Sequence, residues 1–405
     1  MEPVQPSQES ATSHVADRQI RLMLQVGLLV FVWVIAIGII NGLGLMELTR
    51  PLLLSHLHGG MLGWLTLGIM AVTLWMFSAG DPAPSERSQA MARGLSWLAI
   101  VSIAVYVVAF ATTVGVVRPV AGLATFAALL GFAIWASTRV RAVVLTVPRL
   151  LVLIGLWASV IGGALGVING LAIAFSFSVP SSFFAAHPGT MTVGFIMPVA
   201  MGLAEWGLRR DEPDQAATRA GKVQATLMAL AFTWVLVLTL ADLPEIAGMG
   251  IIFAIVALII FLVRIWPAIK RTSLVTRTPE RHALAGAIML AVTIVYIFVA
   301  IQAAGGNFTM IPHGRIVAFT HLESVAATTN AMLAFVVFLS RRVAPATVID
   351  DVVFWGLNLG VIGFVVALTL EIPPLYLLFV PIMGLALLIA IVVHVAALNK
   401  DPASA

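Results

Sequence analysis

Apolar runs of membrane-spanning length follow one another along nearly all of this 405-residue chain, and no other feature narrows its fold so far. An α-helix needs about 20 predominantly apolar residues to cross roughly 30 Å of hydrocarbon, and it satisfies its own backbone hydrogen bonds on the way. Breaking the runs at Pro, Gly and charged clusters places helices near 22–46, 52–78, 92–116, 119–138, 149–173, 184–208, 221–241, 244–266, 283–303, 313–340, 349–369 and 374–397. Hydrophobic residues make up 61% of the chain and charged residues 10%, a balance foreign to soluble globular domains. Nothing alternates with the period of an outer-membrane barrel strand. The expected fold class is an all-α membrane protein of about twelve transmembrane helices.

The basic residues set an expected orientation. With the N-terminus cytoplasmic, 19 of the 22 Lys and Arg residues fall on the inner side, and only Arg50, Arg118 and Arg315 fall on the outer side. That asymmetry is a positive-inside signal for an even number of helices in a bacterial-type inner (cytoplasmic) membrane, with both termini cytoplasmic. It also accounts for the net charge of +4 without nucleic acid, because the basic residues are spread over many loops and form no stripe. Residues 1–20 read as a disordered tail, 21–398 as one polytopic transmembrane domain and 399–405 as a second short tail. The absence of Cys excludes disulfides, thiolate-bound metal, iron–sulfur clusters and Cys-attached haem in this chain.

Three histidine-bearing stretches divide the chain into near thirds. They are Ser55-His56-Leu57-His58-Gly59-Gly60, Ala186-His187-Pro188-Gly189-Thr190 and Thr320-His321-Leu322-Glu323. His58 and His187 are 129 positions apart and His187 and His321 are 134 apart, which gives one such helix per block of four and a pseudo-threefold layout. These are the second, sixth and tenth helices, and all enter from the same side, so the imidazoles share a depth in the outer third of the membrane. An ionisable side chain inside an apolar helix is costly unless partnered, which makes an intramembrane His a functional candidate. Two neutral imidazoles from facing helices can hold a six-coordinate low-spin haem iron.

His56 and His58 compete for the role on the second helix, and the neighbouring glycines, which let a flat macrocycle approach the backbone, favour His58. His313 falls at the outer mouth. His14 and His282 are expected to be solvated, and His394 to reach the interface by snorkelling. Arg50 and Arg315 precede two of the histidine helices, where they suit haem propionates, and Arg118 reads as an interfacial anchor. Glu323 is a buried acid that either lines a proton or water path or faces a neighbouring helix protonated.

The chain resembles subunit I of the haem-copper oxidases and their nitric oxide reductase relatives, in helix count over its whole length and in motifs on the three histidine helices. Arg50-Pro51 followed by His58-Gly59 is similar to the family's approach to its low-spin haem ligand, and Ile316-Val317-Ala318-Phe319-Thr320-His321 is similar to its tenth-helix stretch. The resemblance implies one low-spin haem b with His58 and His321 as axial ligands and Arg50 and Arg315 beside it. It also implies a quinol or cytochrome c donor and further membrane or cytochrome subunits.

The departures are equally specific. Phe319 stands where the family has its catalytic haem ligand, His187-Pro188-Gly189-Thr190-Met191 keeps one copper-type His without the acid and tyrosine, and no His lies between His187 and His282. Copper is therefore not expected, and the resemblance points to an electron carrier with a degenerate catalytic centre. Two alternatives stay open. One is an active oxidase or nitric oxide reductase with an unorthodox site, and the other is a cofactor-free transporter that uses the intramembrane His, Glu323 and Asn330.

Overall fold

The computed structural model of the protein describes residues 17–78, 85–112 and 115–400. Twelve helices in this region are long and apolar enough to cross a membrane, and no strand occurs among the described residues. They are α1 (Asp17–Gly42), α2 (Arg50–Ser78), α3 (Glu86–Thr112), α4 (Val117–Arg139), α5 (Val147–Phe175), α6 (Ser181–Leu208), α7 (Arg219–Leu240), α8 (Pro244–Arg271), α9 (Pro279–Ala303), α10 (His313–Arg341), α11 (Ile349–Thr369) and α12 (Pro373–Leu398). Each coincides with an expected helix, and the fold class is as expected. Residues 17–20, expected in the N-terminal tail, instead begin α1. The rest of that tail, with His14, and residues 401–405 lie outside the described residues.

Burial separates the helices into two tiers. In α2, α6 and α10, 83% of the apolar window is buried, against 28% to 61% in the other nine, so these three are the inner helices. The outer helices pack around them in runs, α11 on α12 and α12 on α1, then α3 on α4 and α4 on α5, then α7 on α8. One inner helix per block of four is what the histidine spacing predicts.

Both described chain ends lie on one face of the bundle, since Arg21 of α1 donates to the backbone carbonyl of Leu398 at 3.1 Å. Ion pairs stitch this face together. Arg281, 1% exposed, donates to Asp351 at 2.6 Å and to the Asp350 carbonyl at 2.5 Å, and Arg149 pairs with Asp214 at 2.5 Å. Arg264 forks onto both oxygens of buried Glu205 at 2.6 and 2.8 Å and also reaches Gln224 at 2.8 Å. Charges taken out of water are tolerable when paired and hydrogen-bonded in this way. At the opposite, distal face the helices end in tight turns whose left-handed residues include Gly44, Ser176, Asp242, Gly305, Gly306 and Glu371.

Candidate functional site

The three inner helices share a departure from α-geometry. Each widens into a π-helical segment just after its histidine, over Gly59–Thr66 in α2, Thr190–Ile196 in α6 and Leu322–Thr329 in α10. Threonine hydroxyls follow the wider spacing. Thr66 donates to the Met61 carbonyl at 2.8 Å and Thr328 to the Glu323 carbonyl at 2.6 Å, both five residues back. π-Segments inside α-helices concentrate at functional sites, because the extra residue re-aims the side chains around it. Trp64 and Thr329, from two of the segments, bond at 2.9 Å and hold α2 against α10.

Alongside these segments and on toward the distal face, the inner helices and their neighbours surround an apolar cavity of about 690 Å³. This lies within the roughly 300–1,000 Å³ of small-molecule and cofactor sites. His56, His58, His187, His313 and His321 all line it, as do Arg50, Arg118 and Glu323. A second space of about 480 Å³ adjoins it, sharing Arg50, Leu54, Arg118, Ile173 and Phe184.

Four of these imidazoles are fixed in the same way. Nδ1 of His58 donates to the Leu54 carbonyl at 2.8 Å and Nδ1 of His321 to the Val317 carbonyl at 2.8 Å, each one turn back on its own helix. Nδ1 of His56 donates to Val34 of α1 at 2.9 Å and Nδ1 of His187 to Gly162 of α5 at 2.8 Å. A carbonyl can only accept, so every Nδ1 carries the proton and every Nε2 keeps its lone pair. A backbone carbonyl on Nδ1 is what orients a metal-ligating histidine and leaves Nε2 for the metal.

The four rings fall into two groups. His56 packs toward α1, where a Cβ on Gly38 would sit 3.2 Å from its Cε1, and on that side α12 bridges α1 to α11. His321 in turn meets the edge of Phe364 of α11 at 5.0 Å. His58 stacks on Phe110 of α3 with ring centres 3.8 Å apart, Arg118 of α4 lies over the same Phe110, and α4 bridges α3 to α5, on which His187 rests. Side chains two apart on a helix diverge by about 200°. Ser55 fixes which way each one goes: it accepts from Trp33 of α1 at 2.9 Å and donates to the Val107 carbonyl of α3 at 3.0 Å. These surroundings favour His56, where the sequence favours His58, as the neighbour of His321.

Other expectations are changed. Arg315 is half-buried and is not among the residues lining the cavity, whereas Arg118, expected to be a plain anchor, lines it with its guanidinium 5.0 Å over Phe110. His282 is buried and faces Asn330 at 3.1 Å, because α10 and α11 cover the end of α9. His394 is buried against Ser340 at 3.0 Å and does not reach the interface. Asn330 bonds Asn358 of α11 at 3.0 Å and so points away from Glu323. Glu323 is 1% exposed, lines the cavity and has no hydrogen-bond partner at Oε1. Phe319 is buried in the core. No group of three or more His, Asp or Glu side chains placed to hold a bare metal ion occurs among the described residues.

The donor set fits a haem: neutral imidazoles with free Nε2, an apolar wall, glycines where a Cβ would press on a ring, and guanidinium groups at the mouth. Comparison with protein-family models gave no match, and comparison with curated proteins gave no significant match.

Proposed function

We propose that this chain is a haem-binding electron-transfer protein of the cytoplasmic membrane, akin to oxidase subunit I, in which His321 and a histidine of α2 hold a low-spin haem b. The observation that supports it most is the common state of four of the cavity's five imidazoles, His56, His58, His187 and His321, each with Nδ1 tied to a backbone carbonyl and Nε2 free. His56 faces α1 and His321 faces Phe364 of α11, two helices joined by α12, and this shared side favours His56 as the α2 ligand. When bound, haem iron takes up and gives back one electron.

The chain's own part is orientation and exclusion. The backbone carbonyls of Val34 and Val317 hold the two rings in one tautomer, which leaves no proton on the ligating nitrogen. Phe31, Val34, Ile35 and Phe364 wall the space with apolar surface and keep water from it. Arg50 stands at the distal mouth where a carboxylate edge would emerge. With His321 and a histidine of α2 both committed to it, a bound haem iron would offer no site to a gas, so a carrier is favoured over a gas-reducing enzyme. By the positive-inside rule the face with both chain ends is cytoplasmic, which puts the cavity near the outer surface, within reach of a quinol or a soluble cytochrome donor.

The variants His321→Ala and His56→Ala test the reading. Each is expected to insert normally and to lose a low-spin haem signal, and unchanged spectra in both would reject it. A cofactor-free transporter is the second reading, favoured by the buried, partnerless Oε1 of Glu323 at the cavity wall, and purified protein devoid of haem would promote it.

A further inference from the structure

We propose that the cavity holds a second bis-imidazole haem, on the side of α3, α4 and α5, with His58 of α2 and His187 of α6 as its axial ligands. The inference rests on the haem reading above and adds a site that the resemblance to oxidase subunit I does not supply. His58 and His56 leave α2 in nearly opposite directions, so one α2 residue set faces two neighbours. His58 turns to α3 and onto Phe110, and His187 comes from the adjacent inner helix with its Nδ1 on α5. Both leave Nε2 free for the space between them.

The wall opposite is cut to size. A Cβ on Gly166 would lie 2.9 Å from Cε1 of His187, so only glycine leaves the ring its place. Two buried polar atoms on this wall have no partner: Oγ1 of Thr125, in a residue 3% exposed, and Oδ1 of Asn169, in a residue 7% exposed. Both residues line the cavity. Buried polar atoms are rarely left unsatisfied, and of these two the Thr125 hydroxyl can donate to a ligand's carboxylate edge, whereas Oδ1 of Asn169 can only accept. Arg118 lies above Phe110 at the opening into the adjoining 480 Å³ space, where it can pair with a carboxylate.

The histidines thus distribute unequally over the three intervals between inner helices. The α10–α2 side has His321 and His56, the α2–α6 side has His58 and His187, and Phe319 of α10 is buried in the core.

Haem per chain, measured as the pyridine haemochrome of purified protein, tests the proposal. The wild type is expected to carry two haems, and His58→Ala and His187→Ala one each, with the survivor being the haem that His321→Ala removes. His187→Met keeps a ligand and is expected to retain two haems while raising the midpoint potential of one in a redox titration. Haem content and potentials that do not respond to any of the His58 and His187 variants would overturn this second site and leave the His321 site standing. Protein without haem would overturn both.

Discussion

At the scale of single residues, what matters is the space around each imidazole as much as the ring itself. Gly38 and Gly166 stand against His56 and His187 at distances where a Cβ must displace something. Gly38→Val and Gly166→Val are each expected to lower the haem-to-protein ratio without loss of folded protein, while Gly94→Ala, at a position with nothing within 4 Å, leaves it unchanged. Equal ratios in all three variants would show that these glycines do not shape the site. Which imidazole meets which neighbour was not legible in the sequence. The His56-Leu57-His58 spacing says that the rings diverge, but only the packing of α1 and α3 on α2, pinned through Ser55, says where each goes. His282 and His394 misled for a related reason, because lying near helix ends suggests solvent until α10, α11 and Ser340 cover them.

Among the elements, the inner helices are built for close approach. A Cβ on Gly63 would fall 2.3 Å from Cγ1 of Val30, and one on Gly27 would fall 2.9 Å from the Gly63 carbonyl, so α1 and α2 touch through glycines. Gly63→Ala overpacks this contact and is expected to cost about 1–3 kcal/mol, read as a lower melting temperature in detergent. At the other face, Arg264→Met leaves the buried carboxylate of Glu205 with only the looser Arg209 pair at 3.6 Å, and a loss of up to roughly 3 kcal/mol is expected with the haem spectrum unchanged.

Between α6 and α7, Glu212 receives Arg209 at 2.6 Å and also Arg271 of α8. Burial pushes its carboxyl up, but the two arginines outweigh burial and hold it below the ordinary 4.5. A depressed acid stabilises the fold above the unfolded-state value and loses that contribution as pH falls through the folded-state one. Glu212→Gln should therefore melt lower than wild type at neutral pH, and the gap should close below about pH 4.5. A gap that persists in acid would contradict this. The π-segments had no sequence signal that the apolar pattern could carry, since a run of Leu, Gly and Thr reads the same at either helical pitch.

For the molecule as a whole, the number and order of the helices were legible because hydrocarbon thickness fixes segment length, and a run of apolar residues is all that is needed to read it. The threefold plan was legible through three histidine stretches at near-equal spacing, and the burial of α2, α6 and α10 agrees with it. What the pattern could not supply was the cavity, which arises from how α1, α3, α4, α5, α11 and α12 lean on the three inner helices, and with it the place of Arg118 at its mouth. Metal analysis of the purified protein is expected to find iron without stoichiometric copper, and copper at one per chain would point to the gas-reducing reading. If paired histidines hold haem inside this cavity, a reduced-minus-oxidised visible spectrum of the purified wild type, recorded with and without carbon monoxide, will show low-spin b-type bands that carbon monoxide leaves unmoved; a spectrum without haem, or one that carbon monoxide shifts, would contradict paired-histidine ligation.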